Sequence, residues 1–427
     1  MRAQALRCLR CAAEYPVGRY FLGCPACRAR GKPTNLAVTY AEDELRQGAA
    51  RSRTATGPGI WRYRDLLPVQ DQYIVTVHEG GTPLVAVPRL GRQLGIPNLY
   101  VKDESRNPTG SFKDRLAAAA VSMARQLGMS VIVGSSSGNA GAATAALAAK
   151  AGMPCVMFTT KKFPLAMRVQ MAVYGTCLIA APTIADRWLL VAEGVERLGW
   201  FPVTVFSYPY FGSSCYGIEG YKTIGYEIAD QLGRAPDDIV VPVGAGDAFS
   251  GTWKGLSEYH QTGVLDRLPR LHAAEVYGPL QHALADDLED CVEMPTPGPP
   301  SVAVSVGSNL STYQALRVLR QSGGSARSAS NEQMLQAQRD LAALEGLYVE
   351  TSSALSVAVL PQLLSDGVIQ PDATVVVVLT SSGLKDPETT AAHMAAIPEC
   401  TDTLESALAV LSSDYGLDLA GPQPASR

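Results

Sequence analysis

Between Leu99 and Leu379 the chain repeats one pattern, a short apolar run followed by a longer stretch of helical character. The runs fall at 99–102, 130–133, 154–158, 176–180, 239–243, 271–276 and 374–379. Several are continuous Val, Ile and Leu with no polar alternation, as expected of parallel strands buried on both faces. Helical segments are expected at 139–150, 166–174, 187–198, 218–231 and 249–259. This alternation predicts an α/β protein with doubly wound parallel sheets, whose ligands collect at the carboxyl ends of the strands. At 427 residues the chain exceeds one hydrophobic core, so two such domains and an appendage are expected.

The appendage is legible in the cysteines. Cys8-x-x-Cys11 and Cys24-x-x-Cys27 are two knuckles separated by twelve residues, the spacing of a four-thiolate zinc site. Two disulfides are the competing explanation. Four protein ligands leave no open position, so the expected Zn2+ is structural and holds a ribbon over residues 1–40. Cys155, Cys177, Cys215, Cys291 and Cys400 are scattered and read as inert core residues. Residues 41–60, with the sequence AARSRTATGPG at 49–59, read as a linker. A smaller α/β domain is then expected over 61–210, a larger one over 211–400 and a tail over 401–427.

Lys+Arg number 36 against 40 Asp+Glu, which implies no general attraction to nucleic acid or to an anionic membrane. No apolar run reaches the roughly 18 residues of a membrane span, and Met1–Arg10 lacks the apolar core of a secretory signal. A cytoplasmic protein is expected.

Residues 108–115 read Pro-Thr-Gly-Ser-Phe-Lys-Asp-Arg ahead of an Ala-rich helical run. Ser111 and Asp114 have the spacing of a capping box, which would start the helix at Ser111 and place Lys113 in its first turn. The positive end of the helix dipole favours the free amine there. A free amine can form an imine with a carbonyl cofactor, and pyridoxal phosphate (PLP) is the commonest. An exposed first-turn lysine is the plain alternative.

Three further motifs stand at expected strand ends. Ser136-Ser137-Gly138-Asn139 opens a helix, and its small and hydroxyl residues make a nest for an anion such as a carboxylate. Gly244-Ala245-Gly246-Asp247-Ala248 opens another as a phosphate cradle, or as no more than a tight strand–helix turn. Thr380 ends a buried strand on a hydroxyl. Together these are the parts a complex of PLP with an amino acid requires.

Gly80-Gly-Thr-Pro-Leu84, Asn107-Pro-Thr-Gly-Ser-Phe-Lys-Asp-Arg115, Ser136-Ser-Gly-Asn139, Ile218-Glu-Gly220, Lys222-Thr223, Glu345-Gly346 and Gly383-Leu-Lys-Asp-Pro387 occur in an order and spacing that resemble threonine synthase, a fold-type II PLP enzyme related to the tryptophan synthase β subunit. The resemblance runs from about Tyr63 to Pro387. It implies that Lys113 is the Schiff-base lysine, that Asn139 contacts the ring hydroxyl, that Gly244–Ala248 hold the phosphate and that Thr380 faces the pyridine nitrogen. It places the substrate against Ser136, Ser137, Gly138 and Ala140. Arg115, which adjoins the site in sequence, is expected as a further anion contact ahead of Lys102 and Lys222, with ordinary surface or interdomain charge as the alternative for all three. By the same analogy the protein is a homodimer.

The departures bear on the substrate. Threonine synthases commonly carry Asn-Ser-x-Asn-Pro-x-Arg before the Ile-Glu-Gly and use it to bind the phosphate of O-phosphohomoserine. Here residues 206–217 are longer, aromatic and without arginine. Ala140 stands where a threonine is usual, and Asp247 is an acid beside a phosphate cradle, or else a capping carboxylate. Elimination, or elimination followed by replacement, at the β or γ carbon of an amino acid is the expected reaction. A serine or threonine dehydratase and a cysteate-synthase-like enzyme are the near alternatives. A non-catalytic PLP sensor, using the basic ribbon (Arg7, Arg10, Arg19, Arg28, Arg30, Lys32) for docking, is the alternative from another class, and turnover of an amino acid to a keto acid and ammonia would exclude it.

Overall fold

The structure, a computed structural model, describes residues 3–419. Its N-terminal ribbon has three antiparallel strands, β1 (Ala5–Cys8), β2 (Glu14–Tyr15) and β3 (Leu36–Thr39), in the order β2-β1-β3. Next come β4 (Leu84–Ala86) and β5 (Leu99–Asp103), then β6 (Ile132–Ser135), β7 (Cys155–Thr159), β8 (Cys177–Ala180) and β9 (Phe201–Pro202). The last four are β10 (Asp238–Pro242), β11 (Arg270–Glu275), β12 (Ala326–Ser328) and β13 (Val375–Leu379).

These strands build a six-stranded sheet, β12-β11-β10-β13-β5-β4, parallel except for β4, and a four-stranded parallel sheet, β8-β7-β6-β9. All seven strands expected from the apolar runs are present. The fully buried β10 and β13 show why their sequences need no polar alternation: both faces are covered.

Small residues fix how closely the helices pack. Ala117 to Ala120 of helix Lys113–Gln126 are fully buried against helix Cys215–Leu232. A Cβ at Gly220 would stand 1.9 Å from the carbonyl oxygen of Arg115, and one at Gly255 2.1 Å from that of Lys222, so glycine alone permits these contacts. Three helices thereby stack tightly behind Lys113.

Several expectations need correction. The supposed linker at 41–60 contains the helix Glu42–Thr54, with Glu42, Asp43 and Glu44 in its first turn and Arg51 and Arg53 in its last, as the helix dipole favours. The division at residue 210 does not describe the sheets, because β4 and β5 lie in the six-stranded sheet with β10–β13. The described residues up to Pro387 form one compact unit and those from Glu388 a second. The second contains helix Leu404–Tyr415, capped by Thr403, where a tail was expected over 401–427; residues 421–427 lie outside the described residues. Cys177 and Cys400 are exposed and are not core residues. Among the described residues no helix is long and apolar enough to cross a membrane.

Candidate active site

A cavity of about 650 Å3 opens at the carboxyl edges of both sheets. Its wall takes Ser135–Ala140 from the end of β6, Gly244–Ala248 from beyond β10, Thr380 from the end of β13, and Lys113. The sequence-expected residues therefore converge, except for the three expected anion contacts.

Lys113 is the first residue of its helix, and the expected capping box is absent. Asp114 instead accepts from the Thr109 amide at 2.7 Å and from the Thr109 hydroxyl, tightening the preceding turn. The Phe112 amide donates to the Thr380 carbonyl at 2.9 Å, which ties the octapeptide to the tip of β13. Lys113 Nζ lies over the rings of Phe112 and Tyr221, 4.6 and 5.8 Å from their centroids, and makes no hydrogen bond or ion pair among the described residues. Burial pushes its pKa down, opposed by the Asp247 and Glu350 carboxylates. Desolvation is the main cause that favours the free amine, where the helix dipole alone was expected to act.

Around Lys113 the walls are hydrogen-bonded in pairs. Asn139 Nδ2 donates to both Glu350 oxygens, at 3.0 and 3.1 Å, while its Oδ1 is buried with no partner. Burial raises the pKa of Glu350. The Thr380 and Ser353 hydroxyls bond at 2.8 Å. Ser136 Oγ accepts from the amides of Gly138 and Gly141, which shapes the nest, and a Cβ at Gly138 would meet nothing within 4 Å. Asp247 caps no helix. Its carboxylate accepts from Ser213 N and Oγ and from Gln314 Nε2, at 2.7–3.2 Å, turning the charge from the cradle toward the 206–217 segment.

Arg115, the foremost of the expected anion contacts, is a correction. It is fully buried away from the cavity, bonded to Glu104, Glu227, Thr82 and Thr223 at 2.7–3.1 Å. Lys102 shares Glu227 at 2.6 Å, and Lys222 pairs with Glu219 and Glu258, so neither is free for a substrate. The 206–217 segment lines the cavity with Tyr210 and Ser213, and Tyr208 and Tyr210 pack on Trp188 at 6.2 and 5.8 Å. Glu350, Ser353 and Arg187 carry no motif in the sequence; only the fold brings them here.

In the ribbon, Cys8, Cys11, Cys24 and Cys27 hold their sulfurs within 4.8 Å of one another. The Cys8–Cys27 and Cys11–Cys24 distances are both 3.7 Å, close to the roughly 3.8 Å edge of a tetrahedron of thiolates about 2.3 Å from a shared ion. The amides of Arg10 and Cys11 point at Cys8 Sγ, and that of Cys27 at Cys24 Sγ, as donors to thiolates do.

The two sheets, the cavity at their carboxyl edges and the unpaired lysine define a fold-type II PLP enzyme. The family model described as "Pyridoxal-phosphate dependent enzyme" matches residues 75–381. A threonine synthase of Methanosarcina acetivorans is 37% identical over 391 residues, covering 90% of this chain and 93% of that protein. One from Methanocaldococcus jannaschii is 34% identical with the same coverages, and one from Mycobacterium tuberculosis 36% identical over 80% of this chain and 92% of its own length. Among solved structures, maize serine racemase superposes with a TM-score of 0.61 at 19% identity, covering 80% of this chain and 94% of its own. Threonine deaminase isoform 2 of Solanum lycopersicum gives 0.60 at 17%, covering 80% and 85%. The chain belongs to the pyridoxal-phosphate-dependent enzyme family and is a threonine-synthase-like lyase within it.

Proposed function

We propose that this protein performs the threonine synthase reaction or a close variant of it, eliminating a leaving group from an amino acid and adding a nucleophile in its place. The residues present fit the cofactor: an amine without a partner, a glycine loop at a helix start, an open nest at Gly138 and spare hydrogen-bonding capacity on Asn139. When bound, PLP supplies an electron sink for the substrate Cα. Lys113 holds the cofactor and is the base that takes and returns the Cα proton, a task suited to an amine whose pKa burial has lowered. Gly244–Ala248 take the cofactor phosphate on their backbone amides. Asn139, held by Glu350, faces the ring hydroxyl. Ser136, Ser137, Gly138 and Ala140 take the substrate carboxylate. Thr380 faces the pyridine nitrogen as a neutral hydroxyl paired to Ser353; with no carboxylate there to stabilise a pyridinium, departure of a β or γ substituent is favoured over transamination.

Zn2+ is the proposed ion of the four-cysteine ribbon, and thiolates on a metal suit a reducing, cytoplasmic compartment. We place the homodimer contact on the apolar side chains exposed along helix Leu165–Val173.

The observation that carries this reading is the free amine of Lys113 on the cavity wall. Replacement of Lys113 by Ala removes the near-visible absorption band of the loaded protein and all turnover. In the wild type, O-phosphohomoserine perturbs that band more than serine, threonine or O-phosphoserine does. An unchanged spectrum in K113A defeats the assignment of the lysine, and silence toward O-phosphohomoserine with a response to another amino acid defeats the choice of substrate.

A further inference from the structure

The helix Ile184–Leu198 carries a buried cation with no counter-ion. Arg187 is 8% exposed, yet its Nε and Nη1 are sealed from solvent and make no hydrogen bond. The deeply buried Arg115, Lys102 and Lys222 all have carboxylate partners. A guanidinium taken out of water without a partner is costly, and burial pulls its pKa down. Arg187 lies on the wall of the active-site cavity, where a ligand can supply the missing charge.

Its neighbours along the carboxyl edge of the small sheet are donors as well. Lys162 follows the end of β7 and lines the same cavity. Ser135 ends β6, and its Oγ is buried on that wall with no partner. The three acids of the cavity wall are otherwise engaged: Asp247 holds Ser213 and Gln314, Glu350 holds Asn139 and Ser305, and Asp386 too has a partner within the protein. Two cations and a hydroxyl outnumber what a carboxylate with two oxygens needs, and they suit a dianion with three terminal oxygens.

We propose that Arg187, with Lys162 and Ser135, binds the distal phosphate monoester of the substrate, in place of the arginine that residues 206–217 lack. This inference rests on the reading above that the cavity processes an amino acid. The element differs from the one the family resemblance points to, since the guanidinium comes from the helix after β8.

The test titrates the PLP-loaded protein with inorganic phosphate by calorimetry, in the wild type, Arg187→Gln and Arg187→Lys. The wild type binds one phosphate beyond that of the cofactor. Arg187→Gln weakens it about 10- to 100-fold, the worth of a hydrogen bond to a charged group, and Arg187→Lys recovers part of the loss. The KM for O-phosphohomoserine rises in the same order. The melting temperature of Arg187→Gln equals or exceeds that of the wild type, because an unpaired buried charge has been removed, whereas a structural arginine would lower it on replacement. Equal phosphate affinity in wild type and Arg187→Gln overturns the proposal, as does tighter binding of glutarate than of phosphate. The titration needs no turnover, so inactivity toward every amino acid tried would defeat the proposed function while this site is still decided by the isotherms.

Discussion

Lys113 on the cavity wall and Lys385, buried beside Thr109 and Gln170, show how burial, rather than sequence neighbours, sets the state of an amine. Lys113 is depressed by desolvation, with only distant carboxylates opposing it. Lys385, in the Gly-Leu-Lys-Asp-Pro stretch, is pushed down from 10.5 to about 8 by burial, while its Nζ donates to the Thr109 carbonyl at 2.9 Å and to Gln170. A lysine that releases its proton at about 8 in the folded protein and at 10.5 when unfolded makes the unfolded chain the better proton binder between those values. Stability therefore rises with pH across that window, by about 3 kcal/mol at most, and the cost of charging Lys385 is fully present below it. Chemical unfolding of the wild type and Lys385→Met at pH 7.5 and pH 10 measures this. The wild type gains stability relative to the variant on going to pH 10, and parallel behaviour of the two would show that Lys385 titrates normally.

At the scale of elements, local pattern sufficed wherever an element carries its own signature. The seven apolar runs became β5, β6, β7, β8, β10, β11 and β13, with ends shifted by no more than two residues. Outside the ribbon, the strands left unrecognised, β4, β9 and β12, have two or three residues each, too few for a period to register. Helix Glu42–Thr54 read as a linker because its Gly, Ser, Thr and Arg content matches a loop; its terminal charges and the close seat of Gly48 against the Asp65 carbonyl decide otherwise. The site divides in the same way. Lys113, Asn139, the 244–248 loop and Thr380 sit in strand–helix punctuation that sequence displays, whereas the partners Glu350 and Ser353 arrive through the fold. Arg115 misled because two residues beyond Lys113 is about 200° round the helix, which turns it to the opposite side, facing Glu104 and Glu227. One surface follows from an element alone. Leu165, Val169 and Val173, exposed by 51%, 55% and 75%, form a stripe at i, i+4 and i+8 on helix Leu165–Val173. If the protein is the homodimer proposed above, replacing Val169 by Lys in this stripe halves the mass seen by light scattering, and an unchanged dimer mass would remove the stripe from the interface.

At the scale of the whole molecule, the ribbon is wired to the loop proposed to hold the cofactor phosphate. Asn35, at the foot of β3 and 3% exposed, donates to the Ser213 carbonyl at 3.0 Å and to Gln314 Oε1 at 3.5 Å. Gln314 in turn donates to Asp247 at 2.7 Å and to the carbonyl of Ala245 at 3.3 Å, both in the proposed phosphate cradle. A Cβ on Gly212 would come within 2.7 Å of Asn35, Gln314 and Asp247 together, so this junction is closely packed. Arg10, inside the first knuckle, pairs with Glu289 and Asp290 and lies 3.8 Å over the ring of Tyr313, beside Gln314. A ribbon of this size would depend on the Zn2+ proposed for it to stay folded. Losing that ion would then free Asn35 and slacken the loop proposed to hold the cofactor, although no cysteine reaches the cavity. Stripping the metal with a chelator accordingly raises the dissociation constant for PLP, followed by the near-visible band, by about tenfold, the worth of one or two buried hydrogen bonds. Adding Zn2+ back restores it. Asn35→Ala, which keeps all four cysteines, shows the smaller part of the effect at full metal content. A metal-free protein that holds PLP as tightly as the loaded one would show the ribbon and the cradle to be independent.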